Sequence, residues 1–462
     1  MNIDTAIEDF RLGQVDLDCR RIVLSQNKEG GERYEGKGYI RQTPDGVLAY
    51  KLYVTGHENV TPHGSLMTHL SHFGKIHRDE TFFNLEAEAR DGTTLRASRL
   101  LPKPSWDMST GRPEFVSGEL QALTAFPHLS QENHCMELYF FEEYDVPLTG
   151  WSEVEDSDGK HYVTDSAEFD SCGAHFTVRV RKGSGRSVLM ATADKPFPPD
   201  FHWRVQEALQ FITGKTATYR ALVTCGPGSL KFELISPRRV SPHSHFCPPI
   251  KHASLIYRQH GWELFNVYLV YVVGSGAKTQ WNPLAYHLYN AREASANSVD
   301  AWAMGVSVAL EAVSSLVLLP EDPESNAKTQ DAVKRVKEYV EGEAALKDMK
   351  GRLLGLLSML DRPPGPPDRL KWLATQGKVE QAYIKTWRDL RNTQVHPKLA
   401  DLAKPDEAAY QIQLDRIHSV QVLLCQVTYH VIGYSGHYTD YAAEGWPDKP
   451  YPLTVPAPAK TV

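Results

Sequence analysis

The stretch SPRRVSPHSHFCPPIKH, residues 236–252, separates two parts of the sequence that differ in character. It contains four prolines and shows neither helical nor strand periodicity, which is typical of a linker. We therefore predict a multidomain chain divided into four segments: a β-rich domain at 1–240, a linker at 241–253, an α-helical bundle at 254–440 and an extended tail at 441–462.

The first segment shows the alternation that is typical of half-buried strands. Between positions 83 and 89 apolar residues alternate with polar ones, and Asp91-Gly92 then predicts a hairpin turn. Similar patterns recur along the segment and predict about ten strands. Periodicity does not distinguish a sandwich from a barrel, so both remain open for the N-terminal domain.

The pattern after the linker is helical and predicts an all-α bundle of about five helices. The run RPPGPP at 362–367 should interrupt helical structure, and Gly305 is a candidate kink in one long helix. The predicted helices cover residues 254–273, 284–319, 326–360, 378–395 and 406–433.

Composition restricts the function classes. The chain has 462 residues, a formal net charge of −7 and six cysteines without a CxxC pair. This charge argues against a broad basic surface for duplex nucleic acid. It does not exclude a local basic cleft, because the total charge says nothing about clustering. The N-terminus lacks a secretory pattern and no apolar run is long enough to span a bilayer. We expect a soluble, cytoplasmic protein with no membrane partner.

A group of histidines and one cysteine lies in or beside the linker. Residues of these types can bind zinc, but their spacing matches neither a zinc finger nor a zinc ribbon. We predict no metal and no cofactor, and whether the cluster binds a metal stays an open question. Its members are His243, His245, Cys247 and His252.

The segment WRDLRNTQVHPKL, residues 387–399, carries the sharpest chemical signal. Spacings of three and four residues place one apolar stripe on the predicted helix: Val379, Ala382, Tyr383, Trp387 and Leu390. A different face carries Arg388, Arg391 and Asn392. His396 follows Asn392 by four positions, and Pro397 disfavours helical geometry there, so the imidazole should project from the helix end.

These residue types suit cleavage of RNA through its own 2′-hydroxyl. The reaction requires a proton acceptor and donor near neutral pH, which His396 offers, and a fixed positive charge beside the phosphorane, which Arg391 offers. The amide of Asn392 can orient either the imidazole or the phosphate. We predict these three residues as catalytic.

Simpler interpretations remain for each residue. The segment could be a solvated helix end in which His396 only caps the C-terminus. Arg388 could add phosphate affinity, as a weak substrate-binding residue, or pair with a nearby carboxylate. Glu311 reads most simply as a solvated or paired carboxylate.

The run from Arg391 to His396 resembles the Arg-x4–6-His signature of HEPN ribonucleases, in which Asn, Asp or His commonly follows the arginine; here that residue is Asn392. The whole layout is similar to ApeA-like proteins, which join a β-rich N-terminal domain to a C-terminal HEPN domain. Segment 208–226 and the helix containing Trp302, Leu310 and Glu311 are also similar to that subgroup. The resemblance is specific at residue level only at 391–396.

This resemblance implies a metal-independent endoribonuclease that leaves 2′,3′-cyclic phosphate and 5′-hydroxyl ends. It implies pairing of two HEPN domains, and a role in bacterial antiphage defence by abortive infection. The N-terminal domain would sense a trigger, for example a phage protein, or restrain cleavage. Pairing has an independent rationale, because one histidine serves poorly as both base and acid on opposite sides of an in-line displacement. The alternative is a non-catalytic dimerisation or RNA-binding scaffold with a partner-recognising β domain.

Overall fold

A computed structural model describes most of the chain: residues 2–61, 78–127, 133–142, 145–156, 159–181, 185–237, 244–251, 255–276, 281–320, 323–360, 364–395 and 407–453. The chain divides into two compact units. The β unit contains Met1–Gln206 and Ala217–Val240, and the helical unit contains Glu207–Thr216 and Ser241–Val462. One division between the units falls after residue 240, and the short segment 207–216 belongs to the helical unit.

Within its described residues, the β unit contains one antiparallel sheet of fifteen strands. It begins with helix α1 (Ile3–Arg11), and helix α2 (Phe201–Thr213) starts in this unit. The strands are β1 (Asp16–Gln26), β2 (Arg33–Gln42), β3 (Leu48–Glu58), β4 (Phe83–Ala89), β5 (Thr94–Leu100), β6 (Lys103–Asp107), β7 (Arg112–Leu120), β8 (Ala122–Phe126), β9 (His134–Phe140), β10 (Gly150–Asp156), β11 (Gly159–Ser171), β12 (Ala174–Arg181), β13 (Arg186–Ala193), β14 (Ala221–Gly226) and β15 (Ser229–Ile235). Their order is β10-β11-β12-β13-β9-β14-β15-β8-β5-β4-β1-β2-β3-β7-β6.

Part of this sheet curls on itself. Strands β7 and β8 lie six places apart in the sheet order, yet only Gln121 separates them in sequence. The hydroxyl of Ser236 donates to the carbonyl of Leu120 at 2.6 Å and accepts from the amide of Leu48 at 2.9 Å. One curled sheet is nearer to the predicted barrel alternative than to two separately paired sheets.

The strand patterns follow from burial on one face. In β4 the residues alternate strictly between buried and exposed, as the sequence predicts. The inward side chains, including Leu85, Leu95 and Phe232, form one core with Ile7 and Phe10 of α1. Each such side chain contributes about 1.5–3 kcal/mol by burial, so the curled sheet and its helix stabilise each other.

Two of the six cysteines form a disulfide that their scattered spacing does not predict. Cys135 of β9 and Cys225 of β14 lie opposite each other in paired strands, with their Cα atoms 5.0 Å apart. The bond therefore joins strands that backbone hydrogen bonds already hold together.

The helical unit contains eight helices after residue 254 in the part that the structure describes, which is more than the five predicted. They are α3 (Leu255–Gly274), α4 (Pro283–Ser295), α5 (Val299–Ser314), α6 (Pro323–Gly342), α7 (Lys350–Leu360), α8 (Pro366–Thr375), α9 (Gln381–Val395) and α10 (Glu407–Ile432). None of the described helices is both long enough and apolar enough to cross a membrane.

The predicted long helix 284–319 is wrong, because the chain breaks at residues 296–298 and not at Gly305. The hydroxyl of Ser298 accepts a hydrogen bond from the amide of Ala301 at 3.1 Å and so caps the start of α5. Gly305 lies inside α5, where an added Cβ would stand only 2.5 Å from the Cβ of Ala294. This glycine permits close packing of α4 and α5.

Two further helix boundaries differ from the prediction. The segment 326–360 contains α6 and α7 with a break between them. Helix α8 begins inside the proline-rich run, since prolines at its first positions need no hydrogen-bond donor. Proline therefore marks a helix start at this point as well as an interruption.

Residues 441–453 do not form the extended tail that we predicted from position 441. Strands β16 (Gly436–Thr439) and β17 (Asp448–Tyr451) pair as a hairpin, and Tyr451 is buried. Between them the fully buried carboxylate of Asp440 accepts hydrogen bonds from the hydroxyl of Tyr383 on α9 and from the ammonium of Lys449 at 2.7 Å. The proline-rich composition did not predict this hairpin, because its position depends on contacts with residues distant in sequence such as Tyr383.

Candidate active site

Helix α9 is positioned by an apolar stripe that buries one of its faces. Ile384, Trp387 and Leu390 are each 2% exposed, and the indole nitrogen of Trp387 donates to the carbonyl of Ser307 on α5 at 3.4 Å. The predicted stripe is confirmed at Trp387 and Leu390, whereas Ala382 faces solvent. This packing fixes α9 against α5 and leaves the opposite face of α9 open.

Arg391 lies at the edge of that open face and forms a two-point ion pair with Glu311 of α5. Its Nε is 3.2 Å from Oε2 of the carboxylate, and its Nη2 is 3.3 Å from Oε1. The two side chains are 42% and 38% exposed. Because two contacts hold a planar fork, the pair fixes the orientation of the guanidinium and not merely its position.

The ion pair leaves part of the guanidinium available to a ligand. Arginine has five N–H donors, and the contacts to Glu311 use one at Nε and one at Nη2. Both hydrogens of Nη1 and the second hydrogen of Nη2 are not used by this pair. Three donors on a half-exposed, oriented fork are suited to bind phosphate oxygens.

The other predicted residues of α9 face solvent beside Arg391. Asn392 and Arg388 are both exposed, and Arg388 forms no ion pair with any part of the chain that the structure describes. The alternative of a paired Arg388 therefore finds no partner among those residues. Helix α9 runs through Val395, and the predicted catalytic His396 is outside the described residues.

A partly apolar strip on α5 adjoins the ion pair. Met304 and Val308 are 36% and 54% exposed, and spacings of four and three residues place them on one helix face with Glu311. Exposed apolar side chains next to an oriented arginine make this strip a candidate surface for association.

The linker cluster has no metal-binding arrangement in the described segments, which lack any group of three suitable His, Cys, Asp or Glu residues. His243 and His252 fall outside those segments. The ring of His245 stacks beside Trp302 with centroids 6.0 Å apart. Burial raises the pKa of the Cys247 thiol to about 11, which opposes formation of a thiolate ligand.

Glu311 is the site residue whose partner the sequence did not predict. The notion of a paired carboxylate is confirmed, but Arg391 lies 80 positions away and no local spacing connects the two. Its only sequence signal was the expected family resemblance of the helix that contains it.

Comparisons with known proteins add nothing to this geometry: no family model, curated protein or solved structure matches the chain.

Proposed function

We propose that this chain is a metal-independent endoribonuclease of the HEPN type. The observation that carries the proposal is the half-exposed guanidinium of Arg391, oriented by Glu311 and followed directly by the exposed Asn392. The three donors that Glu311 does not use can bind phosphate oxygens, and this capacity supports the proposal.

The reaction would use the substrate's own nucleophile. The 2′-oxygen forms a bond to the adjacent phosphorus while the bond from phosphorus to the 5′-oxygen breaks. His396 takes the proton from the 2′-hydroxyl, or gives a proton to the leaving 5′-oxygen. The free donors of Arg391 stabilise the phosphorane, and Asn392 orients the imidazole or the phosphate. The products are a 2′,3′-cyclic phosphate and a 5′-hydroxyl.

The proposed enzyme acts as a homodimer through its helical unit. In-line displacement places the base and the acid on opposite sides of the phosphorus, and two His396 side chains from two copies satisfy that requirement. The strip that contains Met304 and Val308 adjoins Arg391 and offers apolar contact area for the second copy. Two-fold symmetry would then bring both copies of the motif to one cleft.

The biological setting follows from the resemblance alone. We propose a cytoplasmic effector of bacterial antiphage defence that acts by abortive infection. Its β unit would sense a trigger such as a phage protein, or restrain cleavage until infection. The division of the chain into two compact units is compatible with separate sensing and cutting parts.

The test is cleavage of generic RNA by the purified full-length chain in excess EDTA. Cleavage that persists under chelation and is lost in Arg391→Ala and His396→Ala supports the proposal. Arg352→Ala is the matched control, because Arg352 is an exposed arginine on α7 of the same unit. Product ends should carry cyclic phosphate.

Two outcomes would contradict the proposed enzyme. Cleavage that EDTA abolishes would indicate a metal-dependent nuclease. RNA that is bound but never cut, with binding weakened by Arg391→Ala, would favour the non-catalytic scaffold.

A further inference from the structure

The outer surface of the β unit carries a second feature, which we call the aromatic–lysine face. It consists of outward side chains on four neighbouring strands: Lys37 and Tyr39 of β2, Lys51 and Tyr53 of β3, Phe115 and Ser117 of β7, and Lys103 and Ser105 of β6. All of these residues belong to the β unit.

The strand register arranges these side chains in two rows. In one row Lys37 lies opposite Tyr53, and Tyr53 lies opposite Phe115. In the other row Tyr39 lies opposite Lys51, which is followed across the sheet by Ser117 and Lys103. Residues that lie directly opposite one another in paired strands share one face of a sheet, so each row is a continuous line of neighbours.

The alternation along each strand confirms that this face points away from the core. Ile40, Leu52 and Val116 lie between or beside the named residues, and each is 0% exposed. Tyr53 is 49% exposed, and Lys37 and Lys103 are exposed. Several aromatic rings on the solvent side of a sheet are an unusual concentration of exposed apolar area. These rings lie outside the core, so core packing does not explain them.

Cations lie directly over these rings. The ammonium of Lys51 is 4.1 Å from the ring centroid of Phe115 and 5.2 Å from that of Tyr53. The guanidinium of Arg41 is 4.2 Å from the ring centroid of Tyr39. These cations already stand over the rings. A planar group that stacks on a ring therefore takes the place of the cation, which stays within reach of an anionic group attached to that planar group.

The local charge differs from that of the whole chain. The two rows contain three lysines, and Asp18, opposite Tyr39 on β1, is their acidic neighbour. In the next row Arg41 is neutralised by Asp16 at 2.7 Å, and Glu119 stands beyond it. Farther along β2, Glu35 pairs with Arg21 at 2.7 Å. The centre of the face is therefore positive, although the chain carries a formal net charge of −7.

We infer that the aromatic–lysine face binds single-stranded nucleic acid, with bases stacked on Tyr39, Tyr53 and Phe115 and phosphates held by Lys37, Lys51 and Lys103. Single strands expose both a ring face and a phosphate at each nucleotide, which matches alternating rings and ammonium groups. Tyr39 and Tyr53 are diagonal neighbours about 7–8 Å apart, a spacing that successive splayed bases can span.

Duplex nucleic acid and an acidic protein fit this face less well. A duplex hides its bases' faces and requires a broader positive surface than three lysines provide. An acidic peptide would satisfy the lysines but would leave the ring faces without stacking partners. The inference goes beyond the proposed function, because binding at this face requires no cleavage and none of the residues on α9.

The experiment uses the full-length chain and a fluorescein-labelled oligothymidylate of about twelve nucleotides, within the site size typical of such surfaces. This probe lacks 2′-hydroxyls, so the proposed cleavage cannot consume it. Tyr53→Leu and Phe115→Leu keep apolar bulk but remove the aromatic ring. Each should weaken binding about fivefold or more, as measured by fluorescence anisotropy. Lys51→Gln should weaken binding and reduce its dependence on salt.

The matched control is Trp151→Leu. Trp151 is 74% exposed on β10, at the other end of the sheet order and close to Glu153, and its removal should leave binding unchanged. Absence of binding by the native chain would overturn the inference. Weakening by Trp151→Leu equal to that by the face variants would also overturn it. So would competition by inorganic polyphosphate as strong as that by unlabelled oligothymidylate, because polyphosphate carries charge but has no bases to stack. Loss of oligothymidylate binding in Arg391→Ala but not in Tyr53→Leu would assign the binding site to α9 instead.

Discussion

The carboxylate of Glu311 and the guanidinium of Arg391 join helices α5 and α9 by two contacts of 3.2 and 3.3 Å across 80 positions of sequence. Both side chains are more than a third exposed, so solvent screens the pair and its contribution to stability is small, about 0.2–1 kcal/mol. Its main consequence is geometric, because the pair determines which donors of Arg391 face outward.

Replacement of Glu311 by glutamine should therefore impair RNA cleavage more than folding. The fork of Arg391 loses its ionic partner and samples several orientations, and misplacement of a catalytic group costs roughly 10–100-fold in rate. The melting temperature should change little. The rate is measured on a labelled RNA, with Glu338→Gln as a control at an exposed glutamate of α6.

The opposite result would change the interpretation of this ion pair. A faster Glu311→Gln enzyme would mean that the carboxylate restrains Arg391, and an unchanged rate would remove Glu311 from the site.

A single charge on the strip of α5 should dissociate the proposed dimer. Val308 is 54% exposed beside the ion pair, and an aspartate there would be desolvated on association. Sedimentation at micromolar concentration should show a dimer for the native chain and a monomer for Val308→Asp. Leu318→Asp is the control, since Leu318 is 86% exposed after the end of α5. A native monomer would contradict a shared cleft.

Local spacing predicted the features of α9 that depend on neighbours in sequence. Trp387 and Leu390 repeat at a helical interval, so the buried stripe and the exposed Arg388 and Asn392 follow from periodicity. Glu311 could not be assigned in the same way, because its partner is set by how α5 packs on α9. The change from strands to helices near residue 240 was likewise predictable, whereas the pairing of fifteen strands into one curled sheet was not.

Gly305 and Asp440 show why the remaining errors arose. A glycine in a helical pattern suggests a kink, but here it allows a neighbouring helix to approach, which sequence does not reveal. The polar, proline-rich region after residue 440 reads as a tail. It is held in place because the carboxylate of Asp440 accepts hydrogen bonds from Tyr383 and Lys449 of the helical unit.

Gly305→Ala should destabilise the helical unit by about 1–3 kcal/mol, because the new methyl group would overlap Ala294 and force α4 and α5 apart. Gly355→Ala is the matched control. Gly355 lies inside α7, and an added Cβ would have no atom within 4 Å beyond its chain neighbours and its own helix backbone, so alanine should stabilise by up to about 1 kcal/mol. Denaturant unfolding of both variants checks the difference in sign. Stabilisation by Gly305→Ala would show that the two helices are not closely packed.

Acidification from pH 7.5 to 5.5 should lower the melting temperature of the helical unit. Burial lowers the pKa of three histidines in this unit below the ordinary value of 6.5: His287, His418 and His430. The unfolded chain binds protons near pH 6.5 that the folded chain does not yet bind, so the free energy of unfolding decreases as the pH falls through that value.

Each such histidine contributes at most about 1.4 kcal/mol per pH unit. His418, whose ring lies 5.5 Å from that of Trp302, offers the sharpest check. His418→Gln removes one titrating group, so its melting temperature should fall less between pH 7.5 and 5.5 than that of the native chain. The values at pH 7.5 separate any loss of packing from this proton linkage. An identical decrease in both proteins would show that His418 is protonated equally in the folded and unfolded states.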